Sequence, residues 1–290
     1  MNLGVFRGSG QAEQVTQYET WLGRPVTHVL DFVGAQPFDS LTPWKTLDGP
    51  GWTFDQWKSS PWQLVLSVAA LPNKKFTLAA GARGDYDAHW RKFATAAVAH
   101  GGADTILRPM WENRVKNFPW YAGGQEQTYA ACFRRFVDVA RSVQGQRFRF
   151  DWCPLQGGGI NTEASYPGDQ HVDIIGLDLY DGGGRTNLTG AKRWEWKHTQ
   201  PYGLDWHKTF ASKHGKPRSF PEWGVTDSGH GGVGDDPYYV EQMWRWCQAA
   251  DVEYANYFEV NARDGAHRLM PGTWTNFPKS AAKLRALALA

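Results

Sequence analysis

The sequence predicts an α/β protein, a single (β/α)8 barrel filling residues 1–290. Two observations lead there. Eight short apolar or alternating runs recur at fairly regular intervals, and stretches with helical spacing lie between most of them. Strand alternating with helix implies parallel pairing through βαβ crossovers. A third observation selects the closed barrel over an open doubly wound sheet. The only candidate for a dinucleotide glycine fingerprint, GSG at 8–10, is too short for GxGxxG and lacks an acidic partner downstream. α/β barrels routinely reach this length as one unit, and no shift in composition marks a second domain.

The predicted strands are LGVFRG (3–8), VTHVLDFV (26–33), QLVLSVAAL (63–71), DTILRPMWE (104–112), RFRFDWCPL (147–155), VDIIGLDLY (172–180), PRSFPEWGV (217–225) and ANYFEVNA (255–262). The spacing predicts helices over 11–22, 87–101, 125–143, 204–216, 237–250 and 279–290. The second and fifth crossovers, 34–62 and 156–171, read mostly as loop with one short helix each.

Composition narrows the partners. There are 31 basic and 29 acidic residues, for a formal charge of +2, and the two signs are mixed along the chain. That balance argues against nucleic acid or an anionic membrane as main partner. The chain is expected to act as a monomer. Cys132, Cys153 and Cys247 are far apart and odd in number, which suggests buried small hydrophobes rather than disulfides or a zinc site. No basic segment and apolar stretch follow Met1, and no run approaches a membrane span. The compartment stays open: outside the cell after loss of a leader, or within a phage particle. The 16 tryptophans are the informative excess, since an indole serves a core or stacks on a flat ligand.

A barrel places its active site at the C-terminal ends of its strands, so what ends each strand is the useful test. Asp31, Glu112, Asp151 with Trp152, Asp178 with Tyr180 and Asp181, Glu222 with Trp223, and Glu259 with Asn261 all fall near strand ends. Glu112 and Glu222 stand out, each following an apolar strand, on strands 4 and 7. Two carboxyls facing one bound group are what glycoside hydrolysis requires, one held protonated and the other ionised. Desolvation against Trp111 would hold Glu112 in its acid form, and Tyr180 would donate to ionised Glu222. Arg108 should point inward by alternation with Glu112 and pair with a carboxylate such as Glu222 or Asp151.

The remaining candidates are weaker. Asp31, Asp151 and Asp178 suit sugar hydroxyls or a barrel arginine equally. Asn261 suits a hydroxyl better than Glu259 suits catalysis. Trp44, Trp52, Trp120, Trp152, Trp223 and Trp274 are candidate stacking platforms. His198, His207, His214 and His230 are scattered and no HExxH or HxH occurs, so neither metal nor cofactor is expected. GHGGVGDDP (229–237) reads as a mobile rim loop over the cleft rather than a phosphate cradle.

ILRPMWENRVKNFPW (106–120) resembles the strand 4 segment of glycoside hydrolase family 26, a clan A family best known for β-mannanases. VDIIGLDLY (172–180), SFPEWGV (219–225) and the opening LGVFRGSG are similar to that family's segments in the same order. The resemblance implies Glu112 as acid/base and Glu222 as nucleophile, with Tyr180 and Arg108 supporting. It implies a retaining hydrolase of polysaccharide, endo-acting and β-mannanase-like or of related specificity, that needs no cofactor. Where the family carries histidine before its acid/base, and the wider clan asparagine, Trp111 stands here. Asn117 replaces a common tryptophan, with Phe118 and Trp120 nearby. Two readings of other class compete: a non-catalytic carbohydrate-binding barrel for cell-wall or virion tail recognition, and a metal-dependent deacetylase or lyase.

Overall fold

A computed structural model describes residues 2–34, 45–263, 265–272 and 277–290. The expected Trp44 and Trp274 platforms lie outside the described residues. Nine parallel strands form the main sheet: β1 (Leu3–Phe6), β2 (His28–Val33), β3 (Gln63–Val68), β4 (Ile106–Pro109), β5 (Arg149–Trp152), β6 (Ile174–Gly176), β7 (Leu179–Tyr180), β8 (Arg218–Gly224) and β9 (Val252–Phe258). Neighbours pair in chain order, β9 closes on β1, and both β6 and β7 pair with β8. The stretch 172–180 is thus one barrel position in two pieces, and the sheet is a closed (β/α)8 barrel. All eight predicted strands are present, each shorter than its apolar run.

Ten helices surround the sheet among the described residues: α1 (Ala12–Leu22), α2 (Lys45–Asp48), α3 (Gly51–Trp57), α4 (Leu78–Arg83), α5 (Asp87–Ala99), α6 (Glu126–Arg141), α7 (Gly190–Thr199), α8 (Leu204–Lys213), α9 (Pro237–Trp246) and α10 (Pro278–Leu289). The six predicted helices correspond to α1, α5, α6, α8, α9 and α10. In α6 the buried Tyr129, Cys132, Phe133, Phe136, Val137 and Ala140 follow the three- and four-residue spacing that defines one apolar face. At α9, Pro237 opens the first turn and the Asp236 carboxylate caps the Tyr239 N–H at 3.0 Å.

Helices α4 and α7 were not foreseen, for different reasons. LAAGAR is under two turns long, and its start is marked only by Thr77, whose hydroxyl accepts from the Ala80 N–H at 3.2 Å. In α7 the residues that face inward are Arg193 and Lys197, so apolar spacing cannot reveal the helix. Among the described residues the second crossover holds two short helices, α2 and α3, and the fifth only a 3₁₀ turn at Glu163–Ser165.

The larger apolar cluster lies between sheet and helices, and a smaller one of Phe6, Leu30, Val65, Ile106, Ile174 and Tyr254 fills the barrel interior. Gly176 is required inside: a Cβ there would lie 2.5 Å from Asp151 Oδ1 and 3.0 Å from both Cys153 Cβ and Ser219 Oγ. All three cysteines are buried thiols. No helix among the described residues is long and apolar enough to cross a membrane.

Candidate active site

Strand parity decides which carboxylates enter the barrel mouth. On β4, Ile106 belongs to the interior cluster, and Arg108 follows it inward two residues later. On β8, Ser219 faces the interior, where its hydroxyl bonds Asp151, while Phe220 packs against His207 of α8. Unbroken alternation would then send Glu222 outward. A register shift between Phe220 and Trp223 supplies an extra residue on β8. The shift turns Glu222 inward and Trp223 outward, against Tyr239 of α9 and Tyr257 of β9.

Arg108 is fully buried and organises the mouth. Nη1 donates to both oxygens of Asp178, at 2.7 and 2.6 Å, and Nη2 donates to Glu222 Oε1. The Ser67 hydroxyl accepts from Nε at 3.0 Å and from Nη2 at 2.8 Å. Burial opposes the guanidinium charge, but Asp178 and then Glu222 outweigh it and hold the Arg108 pKa well above its usual value. The expected pairing with Glu222 is present, whereas that with Asp151 is not. Asp151 sits deeper and accepts from Ser219 Oγ at 2.5 Å and Tyr254 Oη at 2.6 Å.

The Tyr180 hydroxyl donates to Glu222 Oε2 at 2.6 Å. Burial and then the charge of Glu222 push the phenol pKa well above normal, so it remains a donor. Its carbonyl is gripped from behind by Lys197 Nζ at 2.5 Å and Gln156 Nε2 at 2.8 Å. Lys197 also caps the Gly182 carbonyl at 2.8 Å, and Arg193 binds Asp181. Burial pulls the Lys197 ammonium down to about 7. The polar inner face of α7 therefore fixes the loop that carries Tyr180.

Glu112 is aimed by its backbone. Met110 and Glu112 both adopt left-handed conformations, φ 51° and 49°, which cost on the order of 1–2 kcal/mol per non-glycine residue. Four contacts hold the strained tip. The Met110 N–H donates to Val68 O at 3.0 Å, its carbonyl accepts from Tyr129 Oη at 2.9 Å, the Trp111 carbonyl accepts from Trp120 Nε1 at 2.6 Å, and the Glu112 N–H donates to Cys153 O at 2.8 Å. Trp111 is 5 % exposed, with Phe32, Phe118 and Trp120 at ring distances of 5.4, 5.5 and 4.8 Å.

The two tips converge on a cleft of roughly 450 Å³, lined by Trp111, Glu112 and Phe32 on one side and Tyr180, Glu222 and His267 on another. One carboxylate oxygen each of Glu112, Asp178 and Glu222 lies within 4.8 Å of the other two. Such a triad has the donor chemistry for a cation. However, the Arg108 guanidinium is already bonded to two of the three, so an ion there would face a fixed positive charge.

Other predicted residues lie elsewhere. Asp31 is buried in β2 and accepts from the Gly10 N–H, the Trp57 indole and its own neighbour Phe32, which ties the β1 loop to α3. Trp152 packs on Tyr166, Trp206 and Phe210, outside the barrel, and Trp120 lies beneath Trp111. Trp52, on α3, is exposed and stands over Gly10. Asn261 begins a hairpin of β10 (Asn261–Ala262) and β11 (Gly265–Ala266), and accepts from the His267 and Arg268 N–H groups. Glu259 is buried and takes the Leu269 and Met270 N–H groups, anchoring the segment after His267. The 229–237 loop reaches the cleft through His230, and its acidic end caps α9 and α10.

Sequence reasoning missed Phe32, Arg114, Gln156, Gln200, Phe258 and His267, all lining the cleft. Gln156 and Phe258 stand at or just past strand ends, a signal of the kind used for Glu112. His267, whose Nδ1–H donates to Val225 O at 2.6 Å, follows a hairpin that no apolar run announces.

Fold and mouth together define a (β/α)8 barrel with facing carboxylates after its fourth and seventh strands. The model of glycosyl hydrolase family 26 matches residues 96–191, which include Arg108, Glu112 and Tyr180 but stop short of Glu222. An endoglucanase H of Acetivibrio thermocellus is 28% identical over 131 residues, 42% of this chain and 13% of that protein. A mannan endo-1,4-beta-mannosidase of Bifidobacterium adolescentis is 31% identical over 124 residues, 41% of this chain and 12% of its own length. The chain thus spans only a small part of these curated relatives. Among solved structures, a family 26 β-mannanase of Bacteroides ovatus superposes with a TM-score of 0.67 at 13% identity, covering 99% of this chain and 88% of that one. Residues 96–191 are thus similar in sequence to glycosyl hydrolase family 26, and the whole barrel is similar in fold to a solved member of that family.

Proposed function

We propose that the chain is a retaining glycoside hydrolase, one barrel from end to end, that cleaves a β-linked polysaccharide by double displacement. In the first step Glu222 attacks the anomeric carbon while Glu112 protonates the departing glycosidic oxygen, leaving a covalent glycosyl-enzyme. In the second, Glu112 takes a proton from water, which attacks the same carbon and releases Glu222. One observation carries this reading: oxygens of Glu112 and Glu222 approach within 4.8 Å across the cleft. Retaining enzymes hold their two carboxyl groups about 5–5.5 Å apart, whereas inverting ones leave roughly 6.5–9.5 Å for a water. The relatives named as mannanase and endoglucanase support a β-linked main chain and an internal cut. Proton NMR of products during the first minutes of hydrolysis tests the mechanism. The β-anomer should appear first and mutarotate later; α-anomer first would overturn retention.

A further inference from the structure

Arg114 stands two residues beyond Glu112 and lines the same cleft. Its guanidinium lies against a glycine pair. A Cβ on Gly157 would come 3.0 Å from Nη2, and Nη1 donates to the Gly158 carbonyl at 3.1 Å. That is the side chain's only hydrogen bond among the described residues, and Nε is buried with no acceptor. The fully buried arginines are matched with acids: Arg108 with Asp178 and Glu222, Arg193 with Asp181, Arg218 with Asp251. Arg114 has no such ion pair among the described residues. Burial lowers its pKa against the field of Glu112.

The planar guanidinium fork fits a carboxylate or another oxyanion through parallel N–H bonds, and leaving it half-desolvated without one costs free energy. Nearby groups do not fill the role. Of the cleft carboxylates, Glu222 is already held by Arg108 and Tyr180, and the field of Glu112 reaches Arg114 without outweighing its burial. Asp227, behind His230, is engaged by that ring and by the Ala266 N–H. Resting on the hydrolase reading above, we propose that Arg114 is a specificity-determining residue that binds an anionic substituent on the sugar lodged beside Glu112. The substrate is then a β-linked glycan bearing an acidic group, a uronic acid carboxylate or a sulfate ester.

The test pairs glycans that differ only in charge: uronic-acid-bearing polysaccharides against their carboxyl-reduced forms, and sulfated glycans against desulfated ones. Hydrolysis is followed by reducing-end release, and binding by calorimetry on Glu222→Gln, at 20 and 200 mM salt. Expected is at least a tenfold preference in kcat/KM or Kd for one acidic member, weakened by salt and reduced to near unity in Arg114→Gln. Arg114→Lys should retain part of it, because the charge remains while the fork is lost. Whichever acidic class shows the preference identifies the oxyanion. Equal treatment of every pair by the wild type, or a preference unchanged in Arg114→Gln, overturns the proposal while leaving the hydrolase reading intact. Arg114-dependent binding of an acidic glycan without any hydrolysis would uphold the anion site and overturn the hydrolase reading instead.

Discussion

The tips of β4 and β8 each present one glutamate to the same cleft, and they do so by opposite means. Glu222 is set by charge and hydrogen bonding: a bulge turns it inward, and Arg108 and Tyr180 each donate to one of its oxygens. Glu112 is set by strain and packing: two left-handed residues, four backbone hydrogen bonds and an aromatic wall aim it. One tip supplies donors that an attacking carboxylate needs for a fixed geometry. The other supplies a surface that excludes water beside a half-exposed carboxyl. On the proposed mechanism, two chemically identical side chains take separate tasks from their surroundings, as a carboxyl pair that divides acid from nucleophile requires.

The largest expected effect separates the tips by leaving group. Glu222→Ala should lose about 10⁵-fold in kcat on every glycoside, the scale of losing a nucleophile. Glu112→Ala should lose about 10²–10⁴-fold on polysaccharide, the worth of a general acid. On a dinitrophenyl glycoside, whose leaving group needs no proton, glycosyl-enzyme formation in Glu112→Ala should remain fast and appear as a burst. Azide should then rescue turnover, giving a β-glycosyl azide with Glu112→Ala and an α-glycosyl azide with Glu222→Ala. If both variants lose equally on both substrates, the two tips do not divide the work as their surroundings imply.

A smaller effect probes the donors on Glu222 alone. Tyr180→Phe removes one preorganised donor, for which a loss of about 10²–10³-fold in kcat is expected. The loss should fall on kcat more than on KM, and the thermal midpoint should move little because the ring still packs against Phe258 and His267. A variant with unchanged kcat would show that Arg108 suffices to hold Glu222.

At both tips the sequence made the side-chain chemistry far more legible than the backbone that aims it. Strand order, the inward parity of Arg108 and the donation from Tyr180 to Glu222 could all be reasoned from apolar runs and strand ends. The bulge at 220–223 went unread although Pro221 marks it, since a residue that cannot donate to the ladder sits in a central strand only at such a break. The left-handed backbone at Met110 and Glu112 was silent, since neither residue favours that conformation. Tryptophans misled in the other direction. Trp152 and Trp223 sit at strand ends, yet parity sends them outward to α8 and α9, and only the backbone register decides which face they take. The polar inner face of α7 defeated periodicity altogether, because Arg193 and Lys197 occupy positions where apolar residues are expected.

The smallest expected effect lies below both tips and asks what the barrel's inner polar layer contributes to stability. Burial raises the Asp151 pKa to about 6, against hydrogen bonds from Ser219 and Tyr254. A carboxyl whose folded pKa is raised contributes stability that is complete below its unfolded value near 4 and is lost as pH rises through about 6. The folded protein holds a proton there that the unfolded chain has already released. The swing is bounded by about 3 kcal/mol for a shift of this size. Asp151→Asn removes the titration while keeping a side-chain carbonyl for Ser219 and Tyr254. Urea unfolding of both proteins from pH 4.5 to 7.5 should show the wild type losing ground to the variant as pH rises, with the change levelling off above about pH 6. A difference that stays flat, or that grows in favour of the wild type at high pH, would mean that Arg108 reaches down to charge-balance Asp151. In that case the inner layer and the catalytic mouth would be one electrostatic unit rather than two.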